Sequence, residues 1–221
     1  MASCGIASVV SDAKLVGLYG GTFDPVHNGH IHVAKSVLAA TALTEIRWVL
    51  SARPGHRAEP AVSIEDRWRM LTLMCDGYPE FHADDTEIHF DGPSYTFETV
   101  SKVGLEEDCT PCWIMGYDAF ATLESWHKWS SLLQVCNFIL VHRPGMQERL
   151  SRPLEKLLSE HEVTELQEGM GQIKVLDVEM LDVSSTQIRK AIKAEHNVED
   201  LLAPPVYTYI KDMQLYTEKA Y

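Results

Sequence analysis

The sequence predicts an α/β domain built on a doubly wound, mainly parallel sheet with helices on both faces. Three observations carry that reading. Short apolar runs alternate along the chain with amphipathic segments, the pattern of repeated βαβ units. The 221 residues suit one domain and suffice to bury a full core. Glycine or polar residues close the apolar runs, at Gly20-Gly21, Leu50-Ser51, Gly116-Tyr117-Asp118 and His142-Arg143. In such sheets crossovers are right-handed and ligands sit at the carboxyl ends of the strands, so these four segments converge on one rim.

The elements follow in order. Residues 14–19 read as the first strand. A helix over 29–42 carries Ile31, Ala34, Val37 and Leu38 on one face. Residues 46–50 are the second strand. Ser63 is placed as an N-cap, with Asp66 in the first turn, for a helix running to about Cys75. Residues 80–90 are polar and β-tending, and 95–103 read as a helix. Strands are expected at 112–115 and 135–141. Residues 147–161 read as a charged helix with a solvated face, inside a variable excursion over 144–170. A last strand at 171–177 precedes helices at 184–194 and 204–214. With no internal repeat, linker or low-complexity tract, residues 14–221 read as a single domain and 1–13 as a loose extension.

Composition narrows the function. Apolar residues at 45% and charged residues at 23% are ordinary globular values. Against 19 basic residues stand 32 acidic ones, for a net charge of −13. That balance disfavours nucleic acid and anionic membrane as partners, because the long-range field that attracts phosphate polymers is missing. A phosphate bound here is held by a local device, which points to a small ligand. The cysteines, Cys4, Cys75, Cys109, Cys112 and Cys136, are scattered. Cys109-Thr110-Pro111-Cys112 has CxxC spacing without a second pair, so a loop cysteine and a strand cysteine in a reducing compartment are expected. Residues 1–12 lack a basic start and a long apolar run, and no stretch approaches the roughly 18 apolar residues that suggest a membrane span. A cytoplasmic location is expected. Oligomeric state is not legible, and a homo-oligomer stays open.

The strongest motif is Gly20-Gly21-Thr22-Phe23-Asp24-Pro25-Val26-His27-Asn28-Gly29-His30. Two glycines after a strand let the backbone approach a ligand closely. The helix N-terminus that follows attracts anions through its free N–H groups and dipole. His27 and His30, three apart, project from one face of the first turn and can donate to phosphoryl oxygens whose charge grows in a transition state. The segment is neither a P-loop, lacking Gly-Lys-Ser/Thr, nor GxGxxG. Zinc on His27, His30 and His32 is the competing reading, weakened because His32 points off the shared face and no carboxylate completes the set. A second motif is Val183-Ser184-Ser185-Thr186-Gln187-Ile188-Arg189. Its hydroxyls and helix N-terminus form a phosphate cradle, with Arg189 one turn along as a planar clamp. Ser184 also reads as a plain N-cap.

On these residues the chain resembles the nucleotidyltransferase superfamily, with its HxGH and (I/V)SSTxxR signatures and its Rossmann-like sheet. Within it, the chain is similar to the bacterial nicotinate-mononucleotide adenylyltransferases over essentially its whole length after Lys14. The further matches are Arg53-Pro54-Gly55-His56-Arg57, Pro93-Ser94-Tyr95-Thr96, Gly116-Tyr117-Asp118-Ala119, Trp126-His127 and Arg143-Pro144-Gly145. The resemblance implies transfer of the adenylyl group of ATP to nicotinate mononucleotide, with Mg²⁺ carried on the ATP phosphates and no metal held by protein ligands. His27 and His30 are then the catalytic pair. Gly20, Gly21, Thr22, Phe23, Gly29, Gly116, Asp118, Val183, Ser184, Ser185, Thr186 and Arg189 are implied to surround ATP. Ser51, His56, Arg57, Tyr95, Thr96, Trp126, His127 and Arg143 are implied to serve the acceptor, Trp126 by stacking on the pyridine ring. Without the resemblance, the lesser alternative for Trp126 is a core or surface aromatic. One departure stands out: Leu50-Ser51 occupies the place of the family's Pro-Asn, and Gly55 that of a proline. Alternatives left open are the amidated mononucleotide or phosphopantetheine as acceptor, a nucleotide-binding regulator without catalysis, and a zinc-dependent hydrolase.

Overall fold

Five apolar runs and the polar 80–90 stretch supply six strands, all pairing in parallel: β1 (Leu15–Gly21), β2 (Ile46–Leu50), β3 (Phe81–Asp84), β4 (Thr110–Gly116), β5 (Asn137–His142) and β6 (Ile173–Asp177). The structure, a computed structural model, describes residues 14–53, 59–90, 92–107, 109–144 and 149–217. The expected extension at 1–13 lies outside the described residues. The strand order β3-β2-β1-β4-β5-β6 places a topological switch point between β1 and β4. Chain crossovers leave that point in opposite directions and open a crevice at the strand ends.

The helices are α1 (Asn28–Ala40), α2 (Ile64–Cys75), α3 (Thr96–Glu107), α4 (Tyr117–Phe120), α5 (Arg152–His161), α6 (Ser185–Lys193) and α7 (Pro204–Asp212). They divide between two cores. On one face Trp48, Leu50, Ile114 and Ile139 of the sheet pack with Val37 of α1, Met70 of α2, Ile188 of α6 and Val206 of α7. On the other, Leu18, Trp113, Phe138 and Leu140 pack with Val100 of α3 and Leu154 of α5. Burial from both sides is why the central strands read as unbroken apolar runs. Cys112 belongs to the first core and Cys109 to the second, so the two thiols of the CxxC spacing serve packing on different faces.

The expected elements form with small shifts at their ends. Residues 80–90 divide: β3 takes four of them, and a 3₁₀ turn over Thr86–His89 carries Glu87 into the interior. The helix expected over 147–161 begins later, where the Ser151 hydroxyl accepts the Leu154 N–H at 3.4 Å; most of it is solvated as expected, with Leu154 fully buried on the inner side. Part of that expectation, 147–148, lies outside the described residues. The short α4 and the 3₁₀ turns at Leu123–Ser125, Trp129–Gln134 and Glu199–Leu201 were not expected. They are too brief to imprint a period on the sequence. No described helix is long and apolar enough to cross a membrane.

Candidate active site

The switch-point crevice is walled first by the turn from β1 into α1. At Gly20 a Cβ would lie 2.4 Å from the Trp113 indole, and at Gly29 one would lie 2.8 Å from Val183 and 3.0 Å from His27 Nδ1. The missing side chains let strand, helix and the segment before α6 close together. His27 caps α1 in an extended conformation, and its main-chain N–H donates to His30 Nδ1 at 3.3 Å. The two rings stack with centroids 3.8 Å apart. Burial pushes the His27 imidazole down to about 4, and it takes His30 well below the usual range, with His27 adding to the effect. Both rings are therefore neutral near pH 7. Because His30 Nδ1 accepts a hydrogen bond, its one proton sits on Nε2. His32 turns away, its Nε2–H donating to the Glu179 carbonyl at 2.7 Å.

The second wall is the start of α6. Ser184 is its N-cap: the hydroxyl accepts the Gln187 N–H at 3.2 Å and donates to the Gln187 side chain at 2.8 Å. Ser185 donates to the Pro25 carbonyl at 2.9 Å. Arg189 donates to the Asp24 carbonyl at 2.6 Å and to the Thr186 hydroxyl at 3.3 Å. Two helix N-termini are thus laced together through side chains of α6 and carbonyls of the β1–α1 turn.

Between them lies a cleft of about 670 Å³. Every residue expected on the ATP side lines it: Gly20, Gly21, Thr22, Phe23, His27, Gly29, His30, Gly116, Asp118, Val183, Ser184, Ser185, Thr186 and Arg189. So do Trp126 and Arg143 from the acceptor set. A side lobe of about 210 Å³ is bounded by Gly116, Tyr117, Asp118, Val141, Arg143 and Met180.

The other described residues expected to serve the acceptor, Ser51, Tyr95, Thr96 and His127, stand apart from the cleft wall. Ser51 is used by the fold: its N–H donates to the Gly21 carbonyl at 2.8 Å, its carbonyl accepts from Arg67 at 2.8 Å, and its hydroxyl faces Glu87. Tyr95 stacks on His127 with ring centroids 4.4 Å apart, and Thr96 is the first residue of α3. His56 and Arg57 lie outside the described residues.

Three residues matter here that sequence reading passed over. Asp24, buried inside the first motif, accepts hydrogen bonds from the Ala61 N–H at 2.7 Å and the Tyr216 hydroxyl at 2.8 Å. Arg67 is 1% exposed and donates to the carbonyls of Thr22, Ser51 and Ala52. Burial lifts the Glu87 carboxyl above the usual range, opposed by hydrogen bonds from neighbouring hydroxyls, including Thr99 at 2.9 Å. Asp24 was within reach of the motif; Arg67 and Glu87, in polar stretches, carried no local sign of burial.

The cytidylyltransferase-like family matches residues 18–191. A "probable nicotinate-nucleotide adenylyltransferase" of Hydrogenovibrio crunogenus is 38% identical over 204 residues, spanning 92% of this chain and 98% of the relative. One of the same name from Serratia proteamaculans is 35% identical over 209 residues, spanning 91% and 95%. Among solved structures, the Plasmodium falciparum nicotinic acid mononucleotide adenylyltransferase complexed with APC superposes with a TM-score of 0.69 at 19% identity, covering 92% of this chain and 97% of that one. That likeness bears on the fold. The identity to the curated relatives, end to end, bears on the family: this chain belongs to the cytidylyltransferase-like proteins and, among them, to the nicotinate-nucleotide adenylyltransferase family.

Proposed function

We propose that the chain transfers the adenylyl group of ATP to nicotinate mononucleotide, releasing pyrophosphate and forming nicotinate adenine dinucleotide for NAD biosynthesis inside the cell. The observation that carries this reading is the pair of laced helix N-termini, α1 and α6, facing one cleft with His27, His30, Thr186 and Arg189 between them. Two positive helix ends, two neutral imidazole donors and one guanidinium suit a polyphosphate. Asp118, with the side lobe behind it, suits the nucleoside.

In this reading the nucleophile is a phosphate-monoester oxygen of the acceptor, whose second pKa is about 6, so it arrives already ionised. No base is needed. The chain contributes alignment and charge stabilisation at the α-phosphate. His30 donates from Nε2, and a neutral imidazole donor cannot give up its proton as a strong acid would. Among the described residues no cluster of three His, Cys, Asp or Glu is placed to hold a metal. Mg²⁺ carried on phosphate oxygens and water suits a cleft lined by the Thr186 hydroxyl and the Asp118 carboxylate. When bound, the ion would neutralise charge on the departing pyrophosphate.

On the acceptor side, Trp126 lines the cleft and offers a stacking face for the pyridine ring. The stacked Tyr95 and His127 bring the start of α3 beside the Trp126-His127 turn. The first N–H groups of a helix have no partner within it, so they suit the nicotinate carboxylate. The amide substrate would set its own N–H₂ against those donors. Charge-assisted hydrogen bonds are worth roughly 1.5–3 kcal/mol, and about 1.4 kcal/mol is already tenfold. Pyrophosphate release from ATP with nicotinate mononucleotide, nicotinamide mononucleotide and phosphopantetheine tests the reading. The acid is expected to exceed the amide by well over tenfold in kcat/KM. Equal efficiency would remove the acceptor assignment, and absence of release with all three would remove the reaction.

A further inference from the structure

Asp24 is a buried carboxylate facing Arg189, the residue proposed to clamp phosphate, and its position raises a difficulty. An aspartate beside an arginine forms a bidentate pair where it can, which would take the guanidinium fork away from a phosphate. Here it does not. Asp24 Oδ2 stays 3.8 Å from Arg189 Nη1, while Arg189 spends that nitrogen on the Asp24 main-chain carbonyl at 2.6 Å. Two donors hold the carboxylate in place. The Ala61 N–H binds Oδ2 at 2.7 Å, and the Tyr216 hydroxyl binds Oδ1 at 2.8 Å.

Tyr216 comes from the far end of the chain, in the turn after α7. Its ring is 4% exposed, and Leu215 beside it is 8% exposed, so this turn is docked. Its backbone has φ 63°, and Gln214 two residues earlier has φ 52°. A bulky residue adopts the left-handed region only where its surroundings hold it there. The docking aims one hydroxyl at one carboxylate oxygen across 192 residues of sequence.

We propose that Tyr216 is a positioning residue of the nucleotide site, whose hydroxyl restrains Asp24 and so keeps the Arg189 fork available for phosphate. The inference rests on the reading of the cleft as an ATP site, and it makes the C-terminal turn part of that site without touching ligand. Losing the hydroxyl frees Oδ1 to turn toward Arg189. The loss acts through the Asp24 charge, so it disappears when that charge is absent.

The test is calorimetric binding of a non-hydrolysable ATP analogue to the full chain in four forms: wild type, Tyr216→Phe, Asp24→Asn and the double variant. Tyr216→Phe keeps the ring and its packing. It is expected to weaken the analogue on the order of tenfold, the worth of one hydrogen bond to a charged group. In the Asp24→Asn background the same substitution is expected to change affinity less than twofold, since residues in one network do not act additively. Tyr216→Phe binding like wild type overturns the inference. So does an equal loss in both backgrounds, the signature of a merely structural role, which melting curves of the four forms would show as a matching loss of stability. A wild type that binds the analogue yet releases no pyrophosphate with nicotinate mononucleotide would remove the proposed reaction and leave this inference standing.

Discussion

The two halves of the crevice are built by different means. The half proposed for ATP is drawn mainly from two short stretches, residues 20–30 and 183–189, with Gly116 and Asp118 between, and all of its expected residues line the cleft. The half proposed for the acceptor is assembled from the end of β2, the segment before α3 and the turn after α4, and among its described residues only Trp126 and Arg143 line the same cleft. Their braces differ as well. The ATP half is fastened around a buried carboxylate engaged by a main-chain N–H and a tyrosine. The acceptor half is fastened around Glu87, which receives Thr99 and faces Ser51 and Ser94. A contiguous motif concentrates chemistry where sequence reading finds it. A dispersed half-site hides its supports in residues that look like surface.

Substitutions can break or sharpen that contrast. The largest effect is expected from His30→Ala, a loss of turnover on the order of 10²–10³ at saturating ATP if Nε2–H serves the transition state. A variant with near-normal turnover would move the chemistry off this half. Glu87→Ala comes next. Removing the carboxylate that Thr99, Ser51 and Ser94 face is expected to raise KM for nicotinate mononucleotide roughly tenfold, with KM for ATP unchanged. Glu87→Gln, which keeps an acceptor for Thr99, should recover most of it. A matching rise in both KM values would mean the halves share one brace.

The smallest effect separates the halves by pH. His27 titrates at about 4 in the folded chain against 6.5 unfolded, and His30 is shifted the same way. Between those values the unfolded chain binds more protons, so stability rises with pH through that window and is lost on acidification. Glu87, shifted upward, acts in the opposite sense. The quantity to measure is therefore the difference in melting temperature between wild type and His27→Gln from pH 7 down to pH 4.5. Wild type should lose more, and parallel curves would mean the His27 imidazole is not held neutral by burial.

This division also marks what was legible. The alternation of apolar runs announced the parallel sheet because strands such as β4 are buried along nearly their whole length. His27, Gly29 and His30 announced themselves because capping, close approach and donation all fall within four residues. Arg67 could not: its helix has an ordinary amphipathic pattern, and only the fold reveals that its polar side chain turns inward toward three carbonyls. Ser51 shows the same limit. Its hydroxyl at a strand end carries an expected ligand contact, and Glu87, whose nearness no local pattern announces, lies within its reach as well.

Arg67 carries one more consequence. Its guanidinium holds Thr22 of the ATP-side turn and Ser51 and Ala52 of the acceptor-side loop at once, while the Ser51 N–H closes onto the Gly21 carbonyl beside them. The ends of β1 and β2 are thereby tied through their main chains by one buried guanidinium and one backbone hydrogen bond. In water, two phosphorylated reactants must find their line of attack by collision, against their mutual repulsion. On the proposed reading the gap between them is set by the fold, so the entropy of bringing them into line is met when the chain folds rather than at each turnover.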